Sequence, residues 1–314
     1  MKPRWFWFSG LAFVGLGVMG FVLPRWTVFL LSLALARGLA ALSVALLMRA
    51  GLVSFGQSLF FATGAYVAAF TVRLFGIREA TVLLVGAVVV SMALAALAGL
   101  WIARYREIFF AMLSLAFTMI LYGWLLKAYW ITGGTDGLRI PPPTVLGVTW
   151  SVDALRTVLY EVTLACTAVA LVLIHLFLES PLGYAVRAVR DNEVRLEYLG
   201  SSVWQVIYWT YILAAGLAGL GGVLTALNVG HVDPQLAYWT TAGEFVFITL
   251  LGGTESVLAP LIGAVVFEFL RTYALKYAPY TWQMALGGMM LLLIFFMPRG
   301  LWTLRHLRFR KALS

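Results

Sequence analysis

The feature that most constrains this chain is the recurrence of apolar stretches about as long as a bilayer is thick. Roughly 20 apolar residues cross the hydrocarbon core. Breakers separate such runs near 5 to 23, 26 to 48, 52 to 72, 81 to 102, 108 to 130, 155 to 178, 204 to 229, 240 to 253, 257 to 275 and 282 to 298. Hydrophobic residues make up 62% of the chain and charged residues 11%, with a mean hydropathy of +0.95. That is more apolar surface than a soluble domain of 314 residues buries. The pattern predicts an all-α integral membrane protein of about ten transmembrane or re-entrant helices, without a separate soluble domain. The run at 240 to 253 is short for a full span and ends in Gly252-Gly253, so it is also read as a re-entrant half-helix. The run at 5 to 23 ends in Leu23-Pro24-Arg25 without an A-x-A pattern and is expected to be retained as the first helix.

The net charge of +9 comes from Lys and Arg scattered singly between apolar runs, the pattern of membrane loops and not of a nucleic-acid surface. With ten spans, thirteen basic residues fall on one side and eight on the other, Arg37 lying within a span. The richer side, including Arg49, Arg104, Arg106, Arg187, Arg190, Arg195 and the cluster after Trp302, is expected to be cytoplasmic, which puts both termini inside. Residues 179–203 then form a cytoplasmic segment and residues 131–154 an extracytoplasmic loop with Thr132-Gly133-Gly134-Thr135-Asp136-Gly137 and Pro141-Pro142-Pro143.

Reaction chemistry of the chain's own is not indicated. None of the four lysines, Lys2, Lys127, Lys276 and Lys311, follows a glycine, so no Walker A loop is present. His175, His231 and His306 have no metal-site spacing, and the single cysteine, Cys166, lies in an apolar run. Gly15-Leu16-Gly17-Val18-Met19-Gly20 matches GxGxxG but sits inside a span, where small residues serve helix packing. Ala215, Ala218, Gly219 and Gly222 read the same way.

Arg37, Glu161, Glu244 and Glu268 fall within predicted spans. Each costs about 2.5–3.5 kcal/mol at a helix centre, so each is expected to face protein or water. Their partners are open at this stage; Glu268 and Arg271, spaced i, i+3, form one possible pair. Ser54, Gln57, Ser58 and Thr63, interleaved with Gly51, Gly56 and Gly64, mark an irregular third span. Lining of a solute path and packing against neighbours are both compatible with that pattern.

In the cytoplasmic segment, Ser180 is an N-cap candidate, Pro181 suits the first helical position and Gly200 suits a terminator. Leu182, Ala185, Val186, Val189, Leu196 and Leu199 favour one face. Arg187 with Asp191, Asp191 with Arg195, and Arg190 with Glu193 stand at helical pairing distances. Three arginines against Glu179, Asp191, Glu193 and Glu197 disfavour a polybasic membrane-surface helix and favour one offered to a protein partner.

Ser180-Pro181-Leu182-Gly183 through Arg187-Ala188-Val189-Arg190-Asp191-Asn192-Glu193 to Glu197-Tyr198-Leu199-Gly200 resembles the coupling loop of permeases from branched-chain amino acid ABC transporters. Gly51-Leu52-Val53-Ser54-Phe55-Gly56-Gln57, Gly64-Ala65-Tyr66, the Thr132 to Leu138 loop, Leu251-Gly252-Gly253 and Pro298-Arg299-Gly300-Leu301 agree in the same order. The last of these is similar to the M-type member of the permease pair. Glu255-Ser256 and Ala259-Pro260 depart from the Gly-Ser and Gly-Pro usual there. The resemblance implies one permease domain over 1–314 in a bacterial or archaeal cytoplasmic (inner) membrane. Implied partners are a second, dissimilar permease, two ATPase subunits that use ATP and Mg, and an extracytoplasmic solute-binding protein. Arg187, Arg190, Asp191, Glu193, Glu197 and Gly200 would serve ATPase coupling, with no cofactor bound directly. The family also handles urea, amides and aromatic or carboxylic acids, and a self-sufficient secondary transporter or channel is the reading from another class.

Overall fold

A computed structural model describes residues 15–17, 20, 23–277, 279–296 and 300–303. The run at 5 to 23, Pro298-Arg299 and the basic cluster after Trp302 fall wholly or largely outside the described residues. Among the described residues six helices are long and apolar enough to cross a membrane. These are α1 (Arg25–Met48), α2 (Gln57–Phe75), α3 (Ala80–Ile102), α4 (Glu107–Lys127), α5 (Val152–Glu179) and α8 (Val203–Val229). Two short helices, α6 (Pro181–Asp191) and α7 (Glu193–Tyr198), lie between α5 and α8. After α8 come α9 (Trp239–Gly252), α10 (Ala259–Tyr277) and α11 (Trp282–Phe296). At 14 residues, α9 is about 21 Å long at 1.5 Å per residue, short of the roughly 30 Å hydrocarbon core.

Helix α8 is the centre of the bundle, packing most extensively against α1, α2 and α3. Small residues make that possible, because lipid tails are as apolar as leucine and helices associate through close backbone contact. A Cβ on Gly222 would overlap the Phe61 carbonyl of α2, and one on Gly221 the Ala36 carbonyl of α1. Gly219 faces Ser91 of α3, and Ala215 and Ala218 are fully buried. The glycines and alanines singled out in this span therefore serve packing. Cys166 is half-buried against the same core, and the Tyr160 hydroxyl donates to the Leu16 carbonyl at 2.9 Å.

The two ends of the bundle differ. At one, residues 128–148 and 230–238 form a cap, where β1 (Leu138–Arg139) pairs antiparallel with β2 (His231–Val232). Glu79, just before α3, accepts from the Thr144 hydroxyl at 2.8 Å and from the amides of Leu146 and Gly147 at 2.9 and 3.1 Å. These bonds, led by Thr144, hold its carboxyl below the usual range. A 3-10 turn, Pro234–Ala237, then packs between α2, α4 and α9. At the other end α6 and α7 lie across the turns that join α1 to α2 and α3 to α4.

The third predicted span, 52 to 72, is displaced: α2 begins at Gln57 and residues 50–56 are non-helical. Leu52, Val53 and Phe55 prolong the apolar run without prolonging the helix, because Gly51 takes φ +80° and the chain turns there. The irregularity precedes the span and does not interrupt it.

Replacing Gly222 by valine forces α8 away from α2, an overpacking cost of at least about 1–3 kcal/mol. Gly243→Val, where a Cβ meets nothing within 4 Å, serves as the control. A lowered thermal midpoint in detergent for Gly222→Val alone is the expected outcome; equal midpoints would remove the close-contact account.

Candidate functional site

Three groups of polar residues stand out. The first is the exposed helix pair. Ser180 caps α6, its hydroxyl accepting from the Gly183 amide at 3.3 Å, with Pro181 in the first turn. Gly183 fits against Phe177 and Leu178, so α6 folds back on the end of α5. Val186, Val189 and Leu196 are buried, whereas Tyr184, Tyr198 and Leu199 face outward, Tyr198 at 87% exposure.

The single helix expected here is two. Asn192 adopts an extended conformation, ends α6 and caps α7 by accepting from the Arg195 amide at 2.9 Å. Asn before Glu193 was a readable capping signal, outweighed by the apolar periodicity. The expected pairing within the segment gives way as well: Glu193 binds Arg106 of the α3–α4 turn, at 2.9 and 3.0 Å. Arg187 instead lies over the Tyr184 ring at 5.8 Å. Arg187, Arg190, Asp191, Glu197 and Gly200 are exposed, and Gly200 takes the left-handed conformation at φ +84°. A pocket of about 210 Å³ opens between the two helices, lined by Asp191, Asn192 and Arg195 with Ala188, Leu196 and Leu199.

The pair rests on the ends of other helices. Arg190 packs on Gly51. Arg49, nine-tenths buried, donates to the Thr254 carbonyl at 3.1 Å and so ties the end of α1 to the turn after α9. Burial and then Arg187 push its pKa down to about 10.

The second group lies at the start of α2. Ser54, Gln57 and Ser58 are fully buried. Ser54 accepts from the Gly56 amide at 3.1 Å, and the Ser43 hydroxyl donates to Gln57 Oε1 at 3.0 Å. Gln57 Nε2, the Ser58 hydroxyl and the Tyr211 hydroxyl of α8 are buried without a hydrogen-bond partner among the described residues. A Cβ on Gly56 would lie 3.3 Å from the Tyr211 hydroxyl, which joins α8 to this cluster. Thr63 stands apart; it is half-buried and donates to the Leu59 carbonyl of its own helix at 2.8 Å. Sequence reasoning missed Tyr211, whose apolar surroundings carry no local signal.

The third group is a quartet of charges. Arg37 of α1 meets Glu268 of α10 at 2.7 Å and Glu244 of α9 at 4.0 Å; Arg271 meets Glu244 at 3.7 Å. The i, i+3 pairing of Glu268 with Arg271 is thus replaced by a cross-helix arrangement in which two cations face two anions. Glu161 of α5 is not part of it; its Oε1 is buried without a hydrogen-bond partner among the described residues, beside Gly17 and Gly20. His175 pairs with Glu179 at 3.4 Å within α5. Among the described residues no group of three or more His, Cys, Asp or Glu is placed to hold a metal ion.

Comparison with known proteins returns a consistent picture. A family model described as "Branched-chain amino acid transport system / permease component" matches residues 26–295. The high-affinity branched-chain amino acid transport system permease protein LivM of Salmonella typhimurium is 30% identical over 272 residues, 80% of this chain and 64% of that protein. The chain therefore spans less than two thirds of the LivM length. LivH of the same organism is 22% identical over 56% of this chain and 53% of its own length. A tyrosine transport system permease protein of Clostridioides difficile is 26% identical over 36% of this chain and 41% of its own. No solved structure matches significantly.

The quartet generates a thermodynamic cycle. Arg37→Met leaves two buried carboxylates short of a cation and is expected to cost about 3–5 kcal/mol. Adding Glu268→Gln to Arg37→Met should recover most of that loss. Denaturation of the purified protein in detergent measures both; additive losses would show that the pair is not coupled.

Proposed function

The chain belongs to the branched-chain amino acid transport system permease component family, and from that we propose that it is one membrane-spanning subunit of an ATP-driven importer. The observation that carries this reading is the α6–α7 pair, an amphipathic element seated on helix ends by Arg106 and Arg190 with Tyr184, Tyr198 and Leu199 turned outward. Such a surface suits a protein partner. In this reading the partner is a cytoplasmic ATPase, of which two, using ATP and Mg, serve this subunit and a second, dissimilar permease. An extracytoplasmic solute-binding protein delivers the solute at the other end. The resemblance of the terminal motif and the LivM relatives support the M-type position in the pair.

The membrane is the cytoplasmic membrane, with α6–α7 inside and the β1–β2 cap outside. About ten helical segments and cytoplasmic termini complete the topology; the six apolar helices together with α10 and the shorter α9 and α11 support that count. The solute is a branched-chain or related amino acid. We assign its path to the start of α2, where Gln57 and Ser58 with Tyr211 present unsatisfied polar groups beside a helix N-terminus, whose positive dipole end favours a carboxylate. Ser54 supports that region by accepting from the Gly56 amide, and Thr63, bonded to its own helix, lies further along the same path. The tyrosine permease relative makes an aromatic amino acid the competing cargo.

Two measurements test the assignment. For orientation, Ser202→Cys and Thr135→Cys are made after Cys166→Ser; an impermeant thiol reagent outside intact cells is expected to label the Thr135 variant and spare the Ser202 variant. The reverse labelling would invert the topology.

For coupling, Gly200→Val with Glu197→Lys is expected to abolish substrate-stimulated ATP hydrolysis by the assembled importer in vesicles while insertion persists. A Cβ at Gly200 meets nothing within 4 Å, so the cost to folding is the left-handed backbone, about 1 kcal/mol. Unaltered stimulation would remove the pair from the ATPase interface.

A further inference from the structure

At the β1–β2 end of the bundle the half-buried Asp233 keeps one carboxylate oxygen buried without a hydrogen-bond partner among the described residues. Asp233 begins the Pro234–Ala237 turn, whose Pro234 and Ala237 are buried against α2, α4 and α9. Its Oδ1 is buried, and among the described residues it accepts no hydrogen bond and enters no ion pair. Tyr66 of α2 is 3% exposed, and its hydroxyl is likewise buried without a hydrogen-bond partner among the described residues. The turn that Asp233 opens packs on α2, the helix that carries Tyr66, and Tyr66 shares one apolar cluster with Val232 and Ala237, which bracket Asp233 in the chain.

Aromatic rings are concentrated in this part of the bundle. Tyr66 stands 5.7 Å from Phe70, and Tyr122 of α4 stands 4.8 Å from Tyr238, which ends the turn. All belong to or border one apolar cluster that includes Ala62, Ala65, Val232 and Ala237. A buried carboxylate oxygen and a buried hydroxyl each cost free energy when unpaired. They do not relieve each other here. A primary ammonium group answers both, because it brings a positive charge for Asp233, three N–H donors to share between Asp233 and Tyr66, and an affinity for tyrosine ring faces.

We propose that Asp233 and Tyr66 form a site for the primary ammonium group of the solute at the outer end of the path, resting on the amino-acid importer reading above. The start of α2 at Gln57, about 13.5 Å along the helix from Tyr66 at 1.5 Å per residue, favours the opposite charge. The solute then meets its ammonium site first and its carboxylate-favouring site second. An acid that lacks the ammonium group is refused at the outer one.

The test uses the complete importer reconstituted with its binding protein, and L-leucine as the probe. Asp233→Asn is expected to lower leucine uptake at least tenfold with assembly and basal ATP hydrolysis unchanged, and Asp233→Glu to retain more uptake than Asp233→Asn. A charge readout independent of transport accompanies it. In a Cys166→Ser background, the thiol introduced by Tyr66→Cys should react at least tenfold faster with the cationic 2-aminoethyl methanethiosulfonate than with its anionic sulfonatoethyl counterpart. Adding Asp233→Asn should bring the two rates together. Leucine uptake by Asp233→Asn equal to wild type, equal reagent rates, or no reaction with either reagent would each overturn the site. A wild-type complex that moves no leucine counts against the importer reading instead, and the reagent rates then decide the site alone.

Discussion

Everything in this molecule hangs on how closely α8 approaches its neighbours. In lipid the hydrophobic effect does not drive one helix onto another, so the bundle is held by contact at backbone distance. Gly219, Gly221 and Gly222 present three successive directions of α8 to α3, α1 and α2. With α8 as a shared wall, the first half of α2 is fixed relative to it: Tyr211 reaches the α2 start, and Gly64 sits on Gly219 further along. The polar groups along α2 therefore lie on a rigid surface, although they belong to a helix whose entry is irregular.

Much of this was legible in the sequence, and the part that was not has a common cause. The span read at 204 to 229 is α8, Val203–Val229, and the run at 155 to 178 is α5, Val152–Glu179. In those cases hydrophobicity and helicity coincide. They diverge at 52 to 56, where Leu52 is buried without being helical. Ser180 and Pro181 were legible as a helix start and Gly200 as a terminator because capping is local. Partners distant in sequence were not: Arg37 and Glu268 lie 231 residues apart. The same limit hid Tyr211 beside Gly56 and Tyr66 beside Asp233. It also misassigned Glu193, which turned from its own helix to Arg106.

The helix pair and the polar start of α2 are neighbours through the turn at 49–56. Arg190 presses on Gly51, while Arg49 is anchored to the Thr254 carbonyl. Four residues separate Gly51 from Gly56, whose surroundings include Ser54, Ser114 and Tyr211. The α6–α7 pair thus bears on the turn that leads into Gln57 and Ser58, the unsatisfied polar groups at the start of α2. The exposed helix pair and the polar start of α2 are joined by one chain of contacts.

The charge quartet has a consequence for energetics. Moving one elementary charge through a potential of 100 mV changes its energy by about 2.3 kcal/mol. Arg37, Arg271, Glu244 and Glu268 belong to α1, α9 and α10, so any sliding of those helices as a unit carries two positive and two negative charges together. Their gating charge sums to zero. A movement of this part of the bundle therefore does no net work against the membrane potential through the quartet, and its direction is left to forces applied at the ends of the helices.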